Sequence, residues 1–142
     1  MTCAEIANLF RHALLRDGAY QLMSPGSRSS LHLLAADILE DLHPQLGDAV
    51  SQELVAHLQQ AANENSAIAP RLQRWLRIAA RYAESDYQPA AAAAHWRSLA
   101  NLCRGTGRLE ALYLAAEANI PAGLTGTTES GLRTAIAEAT AQ

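Results

Sequence analysis

The chain has 142 residues, enough for one domain that buries about two thirds of its unfolded surface without a disulfide or metal staple. Its formal charge of −3 excludes a global basic field for nucleic acid, and two distant cysteines, Cys3 and Cys103, exclude a disulfide framework or a zinc site. Alanine supplies 30 residues and valine only two, so the expected fold class is all-α: a single-domain bundle over 1–142 of about six to seven antiparallel-packed helices.

Thr2 and Glu5 have the spacing of a capping box that opens a first helix. Ile6, Leu9, Phe10, Ala13 and Leu14 give it an apolar face, and Asp17-Gly18 is expected to end it, with a short extra turn over 19–23. The stretch 24–30 (SPGSRSS) reads as a break. A second helix follows from Leu31 to about Leu42, with Leu31, Leu34, Ala35, Ile38 and Leu42 as its buried stripe and Asp37, Glu40 and Asp41 on the other side. His43-Pro44 marks its boundary, because a residue before proline avoids the helical region.

Asp48 is placed to cap a helix running to about Ala62, with Val50, Leu54, Val55, Leu58, Ala61 and Ala62 inside. A polar loop over 63–66 leads to Pro70, whose missing N–H costs nothing in a first turn, and to a helix ending near Ala83. Leu72, Trp75, Leu76, Ala79 and Tyr82 cluster on one side of that helix. From Pro89 to Pro121 two alanine-rich helices flank Gly105-Thr106-Gly107-Arg108, a break of the length that joins antiparallel helices; Gly107 is expected to hold a backbone conformation that other residues resist. A small-residue connector over 121–128 and a helix from about Glu129 to Ala139 complete the chain.

The 89–121 hairpin resembles a tetratricopeptide-type helical pair. Trp96, Leu99 and Ala100 match the start of the pattern, Gly107 its turn, Glu110-Ala111-Leu112 and Ala118 its second helix, and Pro121 its end. Stepping back 34 residues, to Ala62, Asn65 and Gln73, gives no second copy. The resemblance implies a peptide- or protein-binding scaffold, of the kind used by small helical chaperones of bacterial secretion systems.

Candidate chemistry is sparse. His12, His32, His43, His57 and His95 form no H-E-x-x-H pair; Glu53 and His57 share a helix side but fall short of a metal site, and no metal or cofactor is expected. Cys103 lacks any local signature of a nucleophile. Gly105-Thr106-Gly107 follows a helix rather than a strand, so it is not a phosphate loop, although Arg104, Gly107 and Arg108 at a helix start compose a candidate anion site. The sharpest charged pattern is Arg71, Arg74, Arg77 and Arg81, all within about one third of a helix circumference. Its bland reading is a solvated face paired with the acids of the second helix; its functional reading is a docking stripe for an acidic partner or for phosphates.

All eleven basic residues are arginine, which GC-rich coding explains before any function does. No signal-peptide pattern or run of about 18 apolar residues occurs, so a cytoplasmic protein without a membrane span is expected. The leading expectation is a non-enzymatic interaction protein, an adaptor, chaperone or regulator that binds another protein and forms homo- or hetero-oligomers. The rivals are a nucleic-acid-binding regulator using the Arg71–Arg81 helix and a small helical enzyme with a cleft around His57 or Cys103.

Overall fold

The computed structural model describes residues 14–15, 17–42 and 47–120, together with 129, 133, 136 and 137. The fold is all-α, and no strand occurs among the described residues. Five helices carry the architecture: α1 Pro25–Leu42, α2 Gly47–Ala62, α3 Ala69–Ser85, α4 Pro89–Leu102 and α5 Gly105–Asn119. A 3₁₀ turn, Ser66–Ile68, precedes α3, and its Asn65 cap accepts the Ala67 N–H at 3.0 Å. The capping box at Thr2 and Glu5, the faces of Ile6, Leu9 and Phe10, the His43-Pro44 boundary and the 121–128 connector lie outside the described residues. Of the last helix, 129, 133, 136 and 137 are helical, with Arg133 paired to Glu129 at 2.7 Å.

Each helix packs mainly against its neighbours in sequence: α1 on α2, α2 on α3, α3 on α4, α4 on α5. One apolar seam runs through the stack. It takes Leu54, Val55 and Leu58 from α2, Leu72, Trp75, Leu76, Ala79 and Ala80 from α3, Trp96, Leu99 and Ala100 from α4, and Ala111 and Ala115 from α5. The expected inner faces of α2 and α3 are therefore those observed, except that Tyr82 is only partly buried and lies outside the seam. Pro70 sits in the first turn of α3, where it lacks only an N–H that would have no intrahelical partner. Gln73 Nε2 donates to the Leu102 carbonyl at 2.9 Å and so satisfies an orphan group at the C-terminus of α4.

Four expectations are corrected. The break over 24–30 shrinks to Met23-Ser24: Ser24 Oγ accepts the Ser27 N–H at 3.2 Å, Pro25 opens α1, and the helix starts six residues early. Asp17 and Gly18 lie within helical residues 17–22 rather than at a helix end. Of the stripe assigned to the core of α1, Leu31, Leu34 and Ile38 face outward and are about half exposed, while fully buried Ala36, with Leu33 and Leu39, meets the seam. Small Ala36 lets α1 approach closely, and Glu40 on the same side reaches α3. Finally, Gly107 is an ordinary helical residue of α5, and the positive φ of 55° belongs to Gly105. The reversal is made by Cys103-Arg104, and Gly105 absorbs the left-handed step into α5.

Candidate functional site

The arginine stripe is divided by its surroundings. Arg71 Nη1 meets Asp37 Oδ1 at 2.7 Å, and Arg71 Nε donates to Glu40 Oε1 at 3.0 Å; the Trp75 indole N–H donates to the same Glu40 oxygen. Burial opposes the charge of Arg71, but the two carboxylates outweigh it and raise its pKa. Arg71 is thus an internal strut between α1 and α3. Arg74, Arg77 and Arg81 remain exposed on the outer face of α3. The Arg74 guanidinium lies 5.6 Å from the Trp75 ring centroid, and Arg77 Nη1 makes a long 3.4 Å contact with the Gln73 carbonyl. Three arginines of the stripe, at three- and four-residue steps, therefore stay exposed.

Of the candidate anion site, Arg104 precedes α5, and Gly107 and Arg108 lie in its first turn. Arg108 Nη1 donates to the Ala100 carbonyl at 3.0 Å and clamps α5 to α4, while Arg104 points to solvent ahead of α5. Cys103 is half-buried, 3.8 Å from where a Cβ on Gly107 would sit. His95 is half-buried, and burial lowers its pKa.

Two groupings were not visible in the sequence. In the first, Tyr20 Oη lies 2.8 Å from His32 Nε2, and His32 Nδ1 lies 2.8 Å from His57 Nδ1. With both rings neutral, one Nδ1 carries the hydrogen and the other accepts it. A proton on each Nδ1 would set two N–H groups head to head, so the pair resists double protonation. Burial first, and the His57 charge second, lower the His32 pKa. Arg28 stacks over Tyr20 at 5.4 Å beside a polar hollow of about 240 Å³ that Gln60, Asn63 and Glu64 also line. His57, which shares a helix side with Glu53, is thus tied to His32 of α1. The cluster can pass a proton along a line of three groups, but Ser30 and Ser29, the hydroxyls nearest His32 in sequence, are spent on the Gly26 and Ala61 carbonyls, each at 3.0 Å. Among the described residues no three metal-binding side chains converge.

The second grouping is a cleft of about 510 Å³ at the α3–α4 corner, lined by Glu84, Tyr87, Pro89, Leu114, Glu117 and Ala118. Its corner residue is unusual. Gln88 N donates to Ala83 O at 2.8 Å and Tyr87 N to Glu84 O at 3.2 Å, the paired bonds that close a helix through a left-handed residue. That residue is Tyr87, at φ 56°, where glycine is the usual occupant. Its side chain is 93% exposed. Glu84 Oε1 accepts the Trp96 indole N–H at 2.7 Å, which fixes the carboxylate at the cleft wall.

Comparison with protein-family models, with curated proteins and with solved structures finds no match. No helix among the described residues is long and apolar enough to cross a membrane.

Proposed function

We propose that the chain is a non-catalytic protein-interaction module that binds an acidic surface of another protein through Arg74, Arg77 and Arg81. The observation that carries this reading is the division of the stripe. Asp37 and Glu40 neutralise Arg71 within the chain, whereas the three arginines beyond it are exposed on a helix anchored from behind by Trp75, Leu76 and Ala79. Exposed ion pairs contribute only about 0–1 kcal/mol each, so stability gives little reason for the row. Guanidinium groups instead suit two-pronged contacts with carboxylates. The tetratricopeptide-like look of the α4–α5 hairpin accords with a binding scaffold, and so does stacking of each helix on its sequence neighbours.

Arg74→Glu combined with Arg77→Glu is expected to leave the melting temperature nearly unchanged and to weaken capture of the native partner tenfold or more. Capture from the native cell followed by mass spectrometry, run beside a thermal melt, measures both. Unchanged capture by a well-folded double variant returns the row to a solvated helix face. Steeply salt-dependent binding to duplex DNA, with no protein captured, would favour the nucleic-acid reading that the net charge opposes.

A further inference from the structure

The corner cleft has the chemistry of a cation receptor. Its floor is apolar, from Pro89, Leu114 and Ala118; its walls carry the carboxylates of Glu84 and Glu117; its rim carries the exposed Tyr87 ring. None of the ion pairs among the described residues engages Glu84 or Glu117. The volume falls in the range of small-ligand sites, roughly 300–1,000 Å³. An apolar floor accepts methylene stems, aromatic faces attract cations, and carboxylates fork to guanidinium.

Two features indicate a built site rather than an accidental dent. Glu84 is held by the Trp96 N–H through one oxygen, leaving the other oxygen for a ligand. Tyr87 occupies a left-handed backbone position that glycine or asparagine takes readily and at which a bulky aromatic residue is strained. Its ring contributes almost nothing to the core, being 93% exposed, so packing does not explain the choice of tyrosine there.

We propose that this cleft binds the arginine side chain of a partner peptide, with the guanidinium against Glu84 and Glu117, its plane on the Tyr87 ring, and its stem on Leu114 and Ala118. The site is independent of the exposed arginine row, which takes charge of the opposite sign. A five-residue probe with a single basic residue and no acids tests the cleft without testing the row.

The probe is the peptide Ac-Ala-Leu-Arg-Leu-Ala-NH₂, titrated into the full chain and followed by NMR shifts of the Leu114 and Ala118 amides and by tryptophan fluorescence, which reports Trp96 beside Glu84. Saturable binding is expected, weakened at least tenfold when the peptide carries citrulline, the neutral isostere, in place of arginine. Glu84→Gln with Glu117→Gln should weaken it similarly, because glutamine still accepts from Trp96 and preserves the fold. Tyr87→Asn should also weaken it, because asparagine tolerates the left-handed backbone but removes the ring. The control pair Glu53→Gln with Glu110→Gln, which alters net charge equally elsewhere, should bind as the parent does. Absence of saturation at millimolar peptide, equal binding of the citrulline peptide, or equal loss in the control pair would each overturn the proposal. Self-association of the parent that disappears in the Glu84→Gln, Glu117→Gln variant would also overturn it, by assigning the cleft to an arginine of a second copy.

Discussion

Trp96 joins three tasks in one side chain. Its ring is 3% exposed in the seam, its N–H donates to Glu84, and through Glu84 it shapes the corner cleft. Replacement of a buried large aromatic by alanine removes the transfer energy and leaves a cavity, at a cost of about 3–5 kcal/mol. Trp96→Ala is therefore expected to lower the unfolding free energy read from a chemical-denaturation curve by that amount, and an unaltered curve would mean the ring is not an anchor. The apolar character of Trp75 and Trp96 was legible from helical spacing. Their acidic partners were not, because Glu40 and Glu84 look like ordinary surface acids until a neighbouring helix brings an indole N–H to them.

At the scale of elements, legibility followed the sharpness of the apolar period. In α3, arginines alternate with Leu72, Trp75, Leu76 and Ala79, so only one face is fit for the interior. In α1, Leu31, Leu33, Leu34, Ile38 and Leu39 surround the helix, and periodicity alone cannot select the inner side. The choice is made by tertiary contacts: the small Ala36, and the reach of Asp37 and Glu40 to Arg71. The Tyr20–His32–His57 line was likewise invisible, since it joins three helical segments far apart in sequence. The α4–α5 turn shows the same limit. Two glycines one residue apart both suit a reversal, and only the backbone shows that Gly105 takes the positive φ while Gly107 is helical. Gly107→Ala is expected to be tolerated or to stabilise by up to about 1 kcal/mol, the usual gain of alanine over glycine in a helix. Its Cβ would meet Cys103 at an ordinary 3.8 Å. Gly105→Ala should instead destabilise by about 1–2 kcal/mol, the cost of a Cβ in a left-handed conformation. Thermal melts of the pair decide the point, and equal effects would count against this assignment of the turn.

For the molecule as a whole, pH acts through His32 and His95, whose folded-state pKa values both lie below the ordinary 6.5, by burial in each case and also by the neighbouring His57 charge for His32. The unfolded chain takes up protons on these rings near the ordinary value, before the folded chain does. Stability is therefore complete above about pH 6.5 and declines as the pH falls through the lower folded values. Melting temperatures from pH 7.5 to pH 5 should fall, and His32→Gln should flatten the fall; a level profile for the parent would contradict the assignment.

The stacking of each helix on its neighbours in the chain has a further consequence, in time rather than in structure. Contacts between successive helices close short loops, and proteins built from such contacts fold in microseconds to milliseconds. The chain emerging from a ribosome need not wait for its last residues. Once α2 and α3 have cleared the exit, they can bury Leu54, Leu58 and Leu76 together, and each later helix adds to a surface already formed. Synthesis and folding would then advance at the same pace, leaving little apolar surface exposed at any moment.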